Sequence, residues 1–250
     1  MPEGLALAWA TPGLVALAVT FLVAGWVSGF AGFGTALIVM PVAGALIPIP
    51  VAIVVLSIAG ITSWPIKLPR AWRNADRGQV GIMAAAALLA LPLGVWLLSV
   101  LSREGLRWIV SAAAALTLAA LISGWRYRGT VRRPGLAGIG GAAGVLGGAT
   151  GLTGPPVILF YLAGRSGAEA VRANTILFLA ILEIGVIANI VIGGLAGVEA
   201  LWLGVLLVAP YLIGVIAGQA MFDPAREGTF RALAYTVIGL AILTGLPLFD

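Results

Sequence analysis

The chain has 250 residues, of which 61% are hydrophobic and 9% are charged. No soluble fold of this length buries so much apolar surface, so the composition predicts a polytopic helical membrane protein. The net charge of +5 does not indicate nucleic-acid binding, because the basic residues collect in short loops between apolar segments.

Cysteine and histidine are both absent. Their absence removes disulfides, thiolate nucleophiles, histidine metal ligands and imidazole acid–base catalysis. The sequence also contains no Gly-x-x-x-x-Gly-Lys-Ser/Thr phosphate loop and no apolar segment with paired acids. We therefore predict a protein that is not an enzyme and that holds neither a cofactor nor a metal.

Ten apolar segments follow one another along the chain, separated by Gly/Pro clusters or arginine-bearing loops. They cover residues 13–28, 35–47, 51–66, 79–101, 106–124, 136–149, 155–163, 172–194, 198–222 and 230–248. Six of them are long enough to span a bilayer or nearly so, at about 1.5 Å per residue. The other four form two pairs, 13–28 with 35–47 and 136–149 with 155–163, which we interpret as broken or re-entrant helical hairpins.

A glycine-rich break lies inside each hairpin. The breaks are Gly29-Phe-Ala-Gly-Phe-Gly34 and Gly147-Gly-Ala-Thr-Gly-Leu-Thr-Gly154, and they recur about 119 residues apart. Glycine is costly inside a helix, and a bilayer tolerates unwound backbone only where it lines a cavity or is buried in protein. The repeated break therefore predicts a duplicated protein with a central binding site.

The two halves match beyond the glycines. Pro92 and Pro210 lie inside long apolar segments, and Arg103-Glu-Gly-Leu-Arg107 resembles Arg226-Glu-Gly-Thr-Phe-Arg231 before the last segment of each half. We predict an all-α protein of two repeats, each with one hairpin and three transmembrane helices. Because three crossings per half is an odd number, the second repeat is predicted to be inverted relative to the first. The repeats are assigned to residues 1–130 and 131–250.

The basic residues predict the orientation in the membrane. In the inverted arrangement one side carries twelve of the fourteen basic residues, and only Arg103 and Arg107 lie on the other side. The loops on the basic side are 67–77, 126–133, 165–172 and 223–231. This side is predicted to be cytoplasmic, with both termini outside the cytoplasm. We expect an integral multi-pass protein of a bacterial plasma (inner) membrane, with the lipid bilayer as its surroundings.

The second arm of each hairpin is the candidate binding element. If the chain turns near the bilayer centre, helices that begin near Thr35 and Pro155 direct free N–H groups and positive dipole ends inward, with Thr35 and Thr153 as caps. Two such ends would form a site for a small anion, made mainly of backbone. The predicted substrate-binding residues of the breaks are Gly29, Gly32, Gly34, Thr35, Gly148, Gly151, Thr153 and Gly154. The alternative is that these glycines only allow close helix packing.

Three polar residues of one apolar segment complete the candidate site. Glu183 is the only acid in the middle of a predicted spanning segment, and an ionised buried carboxyl costs several kcal/mol unless it faces a cavity or finds a partner. It is predicted to couple transport to protons, or alternatively to hydrogen-bond a neighbouring helix as a neutral carboxyl. Arg172 and Asn174 are further candidate substrate ligands, with anchoring at the membrane surface and interhelical hydrogen bonding as their alternatives. Lys67 is interpreted as an ordinary cytoplasmic loop anchor.

A family resemblance rests on the same residues. The segment Gly-Phe-Ala-Gly-Phe-Gly-Thr-Ala-Leu-Ile-Val-Met-Pro that ends at Pro41, its counterpart ending in Pro155-Pro156, and the arginine-containing loop after the next helix resemble the sulfite exporter TauE/SafE family. The resemblance extends over nearly the whole chain. It implies export or movement of small anions, including sulfite and organosulfonates, without ATP-binding machinery.

These observations favour a secondary transporter or facilitator of a small, sulfur-containing anion, with alternating access around the two hairpins. A non-transporting membrane scaffold and an anion channel are the alternatives, and an intramembrane enzyme is the least favoured class. No sequence feature assigns an oligomeric state.

The predicted orientation is tested with reporter fusions. A reporter that is active only in the periplasm should be active when fused after Asp250 and inactive when fused after Arg128, because the basic loops stay in the cytoplasm. A cytoplasmic C-terminus would contradict the inverted-repeat arrangement.

Overall fold

The computed structural model describes residues 3–31, 33–124, 132–163, 168–221 and 227–248. Within these ranges the chain forms twelve helices and no strand. In chain order they are α1 (Glu3–Trp9), α2 (Leu14–Ala31), α3 (Thr35–Leu46), α4 (Ile49–Thr62), α5 (Trp64–Asn74), α6 (Arg77–Val100), α7 (Arg103–Ile122), α8 (Arg133–Thr150), α9 (Gly154–Ala163), α10 (Ala168–Ile192), α11 (Val198–Met221) and α12 (Glu227–Gly245). The predicted all-α fold is confirmed.

Among the described residues, six helices are long and apolar enough to cross a membrane. They are Leu14–Ala31, Arg77–Val100, Arg103–Ile122, Glu169–Ile192, Val198–Met221 and Gly228–Gly245. The prediction of a multi-pass membrane protein is therefore confirmed. The predicted boundary between the repeats lies between α7 and α8, outside the described residues, as do Arg126, Arg128, Arg165 and Arg226.

The predicted spanning segment 51–66 is not one straight helix but is bent between α4 and α5. Helix α4 ends at Thr62, and the direction of the chain changes by 79° between α4 and the Lys67–Asn74 part of α5. Pro65 lies in the first turn of α5, where it has no N–H to continue the hydrogen-bond ladder of α4. By contrast α2, predicted as a short arm over 13–28, continues to Ala31 and is long enough to span.

The first hairpin folds back on itself. Gly13, which directly precedes α2, lies against the side chain of Leu46, the last residue of α3. The 12 residues of α3 extend for about 18 Å, which is less than the ~30 Å of a hydrocarbon core. Helix α3 is therefore too short to cross a bilayer by itself. Helices α8 and α9 also pack on each other, and α9 has only 10 residues.

Each hairpin packs most extensively on the other half of the chain. Helix α2 lies along α11, and α8 lies along α6. At both interfaces glycines face the backbone of the opposite helix. The facing pairs are Gly25 with Tyr211, Gly29 with Val215, Gly214 with Leu22 and Gly218 with Trp26, and then Gly140 with Met83, Gly144 with Ala87 and Gly148 with Leu91. Small residues allow this approach, as is usual between membrane helices. Pro92 lies inside α6 and Pro210 lies inside α11, so these two helices correspond in the two halves. Each packs on the first arm of the opposite hairpin, and this match supports duplication.

The two basic residues on the less basic side have structural partners. Arg103 Nη2 donates to the carbonyl of Ala45 at 2.9 Å, at the end of α3. Arg107 is buried, and its Nη2 donates to the carbonyl of Gly245 at 3.3 Å, at the end of α12. Terminal helix carbonyls lack partners within their helix and carry partial negative charge. These two arginines therefore donate hydrogen bonds to carbonyl groups at the ends of α3 and α12.

Candidate functional site

The first break separates α2 from α3. Gly34 precedes α3 with a φ of 99°, a left-handed conformation that favours glycine. Thr35 is not the predicted cap, because α3 begins at Thr35 itself and Gly34 takes the capping position. The Thr35 hydroxyl instead lies 3.5 Å from the Tyr211 hydroxyl of α11. Gly32 lies outside the described residues.

The second break separates α8 from α9. Gly151 follows α8 with a φ of 74°, again in the left-handed region. Thr153 directly precedes α9, as the sequence predicts, and Pro155 and Pro156 lie in its first turn. Proline fits there because the first N–H groups of a helix have no partner within the helix.

A cavity of about 110 Å³ lies between the two breaks. This volume is several times the space that one water molecule requires. Gly34 and Thr35 line it at the start of α3, and Gly151, Thr153 and Gly154 line it at the start of α9. The two helix starts, one from each half, therefore border the same cavity.

Glu183 of α10 also lines this cavity. Its Oε2 accepts a hydrogen bond from Trp64 Nε1 at 2.9 Å. Gly60 of α4 leaves room for the carboxyl, because a Cβ at that position would lie 2.8 Å from Glu183 Cδ. The carboxyl thus faces the cavity and bonds a neighbouring helix at the same time, so its position is compatible with both alternatives from the sequence.

Four predicted site residues do not line the cavity. Gly29 and Gly148 lie at the α2–α11 and α8–α6 interfaces, where a Cβ on either would come within 3.0 Å of backbone atoms of the facing helix. The positions of these two glycines fit the alternative prediction, in which the glycines only allow close helix packing. Arg172 is exposed on α10. Asn174 is buried, and its Oδ1 accepts from the backbone N–H of Asp76 at 2.7 Å, which joins α10 to the start of α6.

The cavity has further polar lining residues that the sequence motifs do not indicate. They are Ser28, Ser57, Ser63, Trp64, Lys67 and Tyr211. Lys67 was assigned to a loop because the apolar run ends just before it, whereas the structure places it in α5. The available signal was the spacing of Trp64 and Lys67, which are three residues apart and share one face of a helix.

The sequence model of the sulfite exporter TauE/SafE family matches residues 17–245. The matched region contains all the residues that line the cavity and both hairpins, except for the first three residues of α2. The resemblance read from the glycine motifs is thereby confirmed. Comparisons with curated proteins and with solved structures give no significant match.

The cavity is testable by labelling, because the chain contains no cysteine. Ser57 and Ser111 are both buried, but of the two only Ser57 lines the cavity. A cysteine in the Ser57→Cys variant should therefore react with a small neutral maleimide faster than the cysteine in Ser111→Cys. Mass spectrometry of the purified variants measures both rates. Equal rates would show that reagent does not enter the cavity.

Proposed function

Because the chain belongs to the sulfite exporter TauE/SafE family, a family of membrane transporters, we propose that it is a secondary transporter of a small anion such as sulfite or an organosulfonate. The observation that carries the proposal is the cavity bordered by the starts of α3 and α9. Free N–H groups and the positive dipole end of a helix stabilise negative charge. Gly34, Thr35, Gly151, Thr153 and Gly154 are the proposed binding residues of these helix starts.

We further propose that the second repeat is inverted and that the two hairpins give alternating access to the cavity. Each hairpin packs on the other half of the chain, α2 on α11 and α8 on α6. This packing supports the proposed arrangement. In the proposed orientation the loops rich in arginine face the cytoplasm of a bacterium, and both termini face outward. The repeats are proposed to be residues 1–130 and 131–250.

Substitution at Gly151 tests the proposed site. A Cβ there would lie 3.1 Å from Met40 Sδ and 3.1 Å from Ile53 Cγ1, and a non-glycine residue in a left-handed conformation costs about 1–2 kcal/mol. Gly151→Leu should therefore abolish saturable uptake of labelled sulfite into proteoliposomes while the protein still inserts. Gly138→Leu is the control, since Gly138 is exposed on α8 and nothing lies within 4 Å of its Cβ position.

The same vesicles separate the three functional classes. Unlabelled sulfite inside should drive counterflow of labelled sulfite if the protein is a carrier, whereas a channel gives flux without counterflow. A native protein without sulfite or sulfonate flux would favour the scaffold. Normal uptake by Gly151→Leu would place the binding site away from the second break.

Proton coupling through Glu183 is the finer part of the proposal. A carboxyl that faces the cavity in one state and is buried in another changes its proton affinity between the states, which links anion movement to proton movement. Glu183→Gln keeps the size of the side chain and an oxygen acceptor but cannot release a proton. The variant should retain anion exchange and lose net transport driven by an imposed pH gradient. Unchanged pH-driven flux in Glu183→Gln would leave Glu183 with a structural role.

A further inference from the structure

The basic residues of α5 have different surroundings. Arg70 and Arg73 are exposed, and Arg70 Nη2 pairs with Glu169 Oε1 at 2.7 Å on the surface. Lys67 is partly buried and lines the cavity. Because α5 runs at a steep angle to α4, it brings one ammonium group to the cavity that both helix starts border.

The Lys67 ammonium is held beside the first break. Its Nζ donates to Ser28 Oγ at 3.4 Å, and Ser28 is buried near the end of α2. An ammonium has three donors, and among the described residues Lys67 forms no ion pair. A positive charge that is partly removed from water and has no salt-bridge partner is destabilised. An anion that enters the cavity would reduce this cost.

The cavity also contains the Glu183 carboxyl, which interacts electrostatically with this ammonium but forms no salt bridge with it. Glu183 bonds Trp64 Nε1 instead. Trp64 lies one helical turn before Lys67 on α5, and its indole N–H is a donor only. The hydrogen bond therefore holds one carboxyl oxygen at Trp64, and the ammonium remains without a direct salt bridge to Glu183.

We propose that Lys67 is the charged ligand for the transported anion, and that Trp64 is a positioning residue that keeps Glu183 from neutralising it. This inference rests on the transport function proposed above. An oxyanion suits the arrangement, because one oxygen accepts from the ammonium while the others accept from the N–H groups at the starts of α3 and α9. Ser28 holds the ammonium in place while the cavity contains no anion.

Anion binding to the purified full-length protein tests the role of Lys67. Titration calorimetry with sulfite, and separately with methanesulfonate, gives the Kd of each variant. Lys67→Gln should weaken binding by about tenfold or more, which corresponds to about 1.4 kcal/mol. Lys67→Arg keeps the charge and should retain measurable binding. Arg73→Gln is the matched control, because it removes the same charge from an exposed position of the same helix.

The outcomes separate this inference from the function on which it rests. A native Kd in Lys67→Gln overturns the assignment of Lys67 and leaves the transport function intact. A native protein that binds neither sulfite nor methanesulfonate overturns the proposed function, and the assignment with it. Equal losses in Lys67→Gln and Arg73→Gln would also overturn the assignment, because net charge alone would then explain the effect.

Trp64 is tested by rescue. Trp64→Phe removes the donor to Glu183, so the carboxyl is free to pair with Lys67 and the Kd for sulfite should rise. The double variant Trp64→Phe with Glu183→Gln removes the competing carboxylate and should recover binding close to that of Glu183→Gln alone. A structural defect at Trp64 would not be repaired by a change at Glu183, so failure of the rescue overturns the positioning role.

Discussion

The backbone of this protein must satisfy its own hydrogen bonds wherever it is surrounded by lipid, and this constraint determines where the two breaks lie. The chain before Thr35 is unwound beside α11, with Tyr211 at the Thr35 hydroxyl. Gly151, at the other break, lies beside Met40 and Ile53 of the first half. Each break is thus covered by residues of the opposite half, and the cavity occupies the space between them.

Glycine has two separate physical roles in this arrangement. Within α8, Gly140, Gly144 and Gly148 allow the α6 backbone to approach, while Gly34 and Gly151 provide left-handed conformations at the breaks. If the protein alternates access as proposed, the closely packed pairs α2–α11 and α8–α6 are each expected to move as a unit.

Features that depend on local sequence were predicted well. Apolar length identified five of the six candidate spanning helices among the described residues, and Thr153 with Pro155 and Pro156 identified the start of α9. Features that depend on partners far away in the sequence were not predicted. The contact between Gly29 and Val215 joins positions far apart in sequence, so a glycine at a close helix interface looked the same as a glycine at a break.

The side chains of the cavity show the same limit. Whether Lys67 faces solvent or the cavity depends on the direction in which α5 leaves α4, which apolar length does not reveal. Asn174 likewise looked like a ligand because its partner, the Asp76 N–H, belongs to another helix. The sequence therefore indicated where the backbone is unwound, but it did not reveal side-chain orientations that depend on tertiary contacts.

The cation and the acid of the cavity come from different halves of the chain. The first helix after the hairpin of the second half, α10, is unbroken and carries Glu183, whereas its counterpart is divided into α4 and α5 near Ser63. The division brings Trp64 and Lys67 from the first half to the Glu183 cavity. Two chemically identical halves would give inward-facing and outward-facing forms of equal energy. A ligand or proton shifts such an equilibrium only through interactions that differ between the forms. In the proposed alternating-access cycle, the break at Pro65 would supply such a difference, because it brings the cation of one half to the acid of the other.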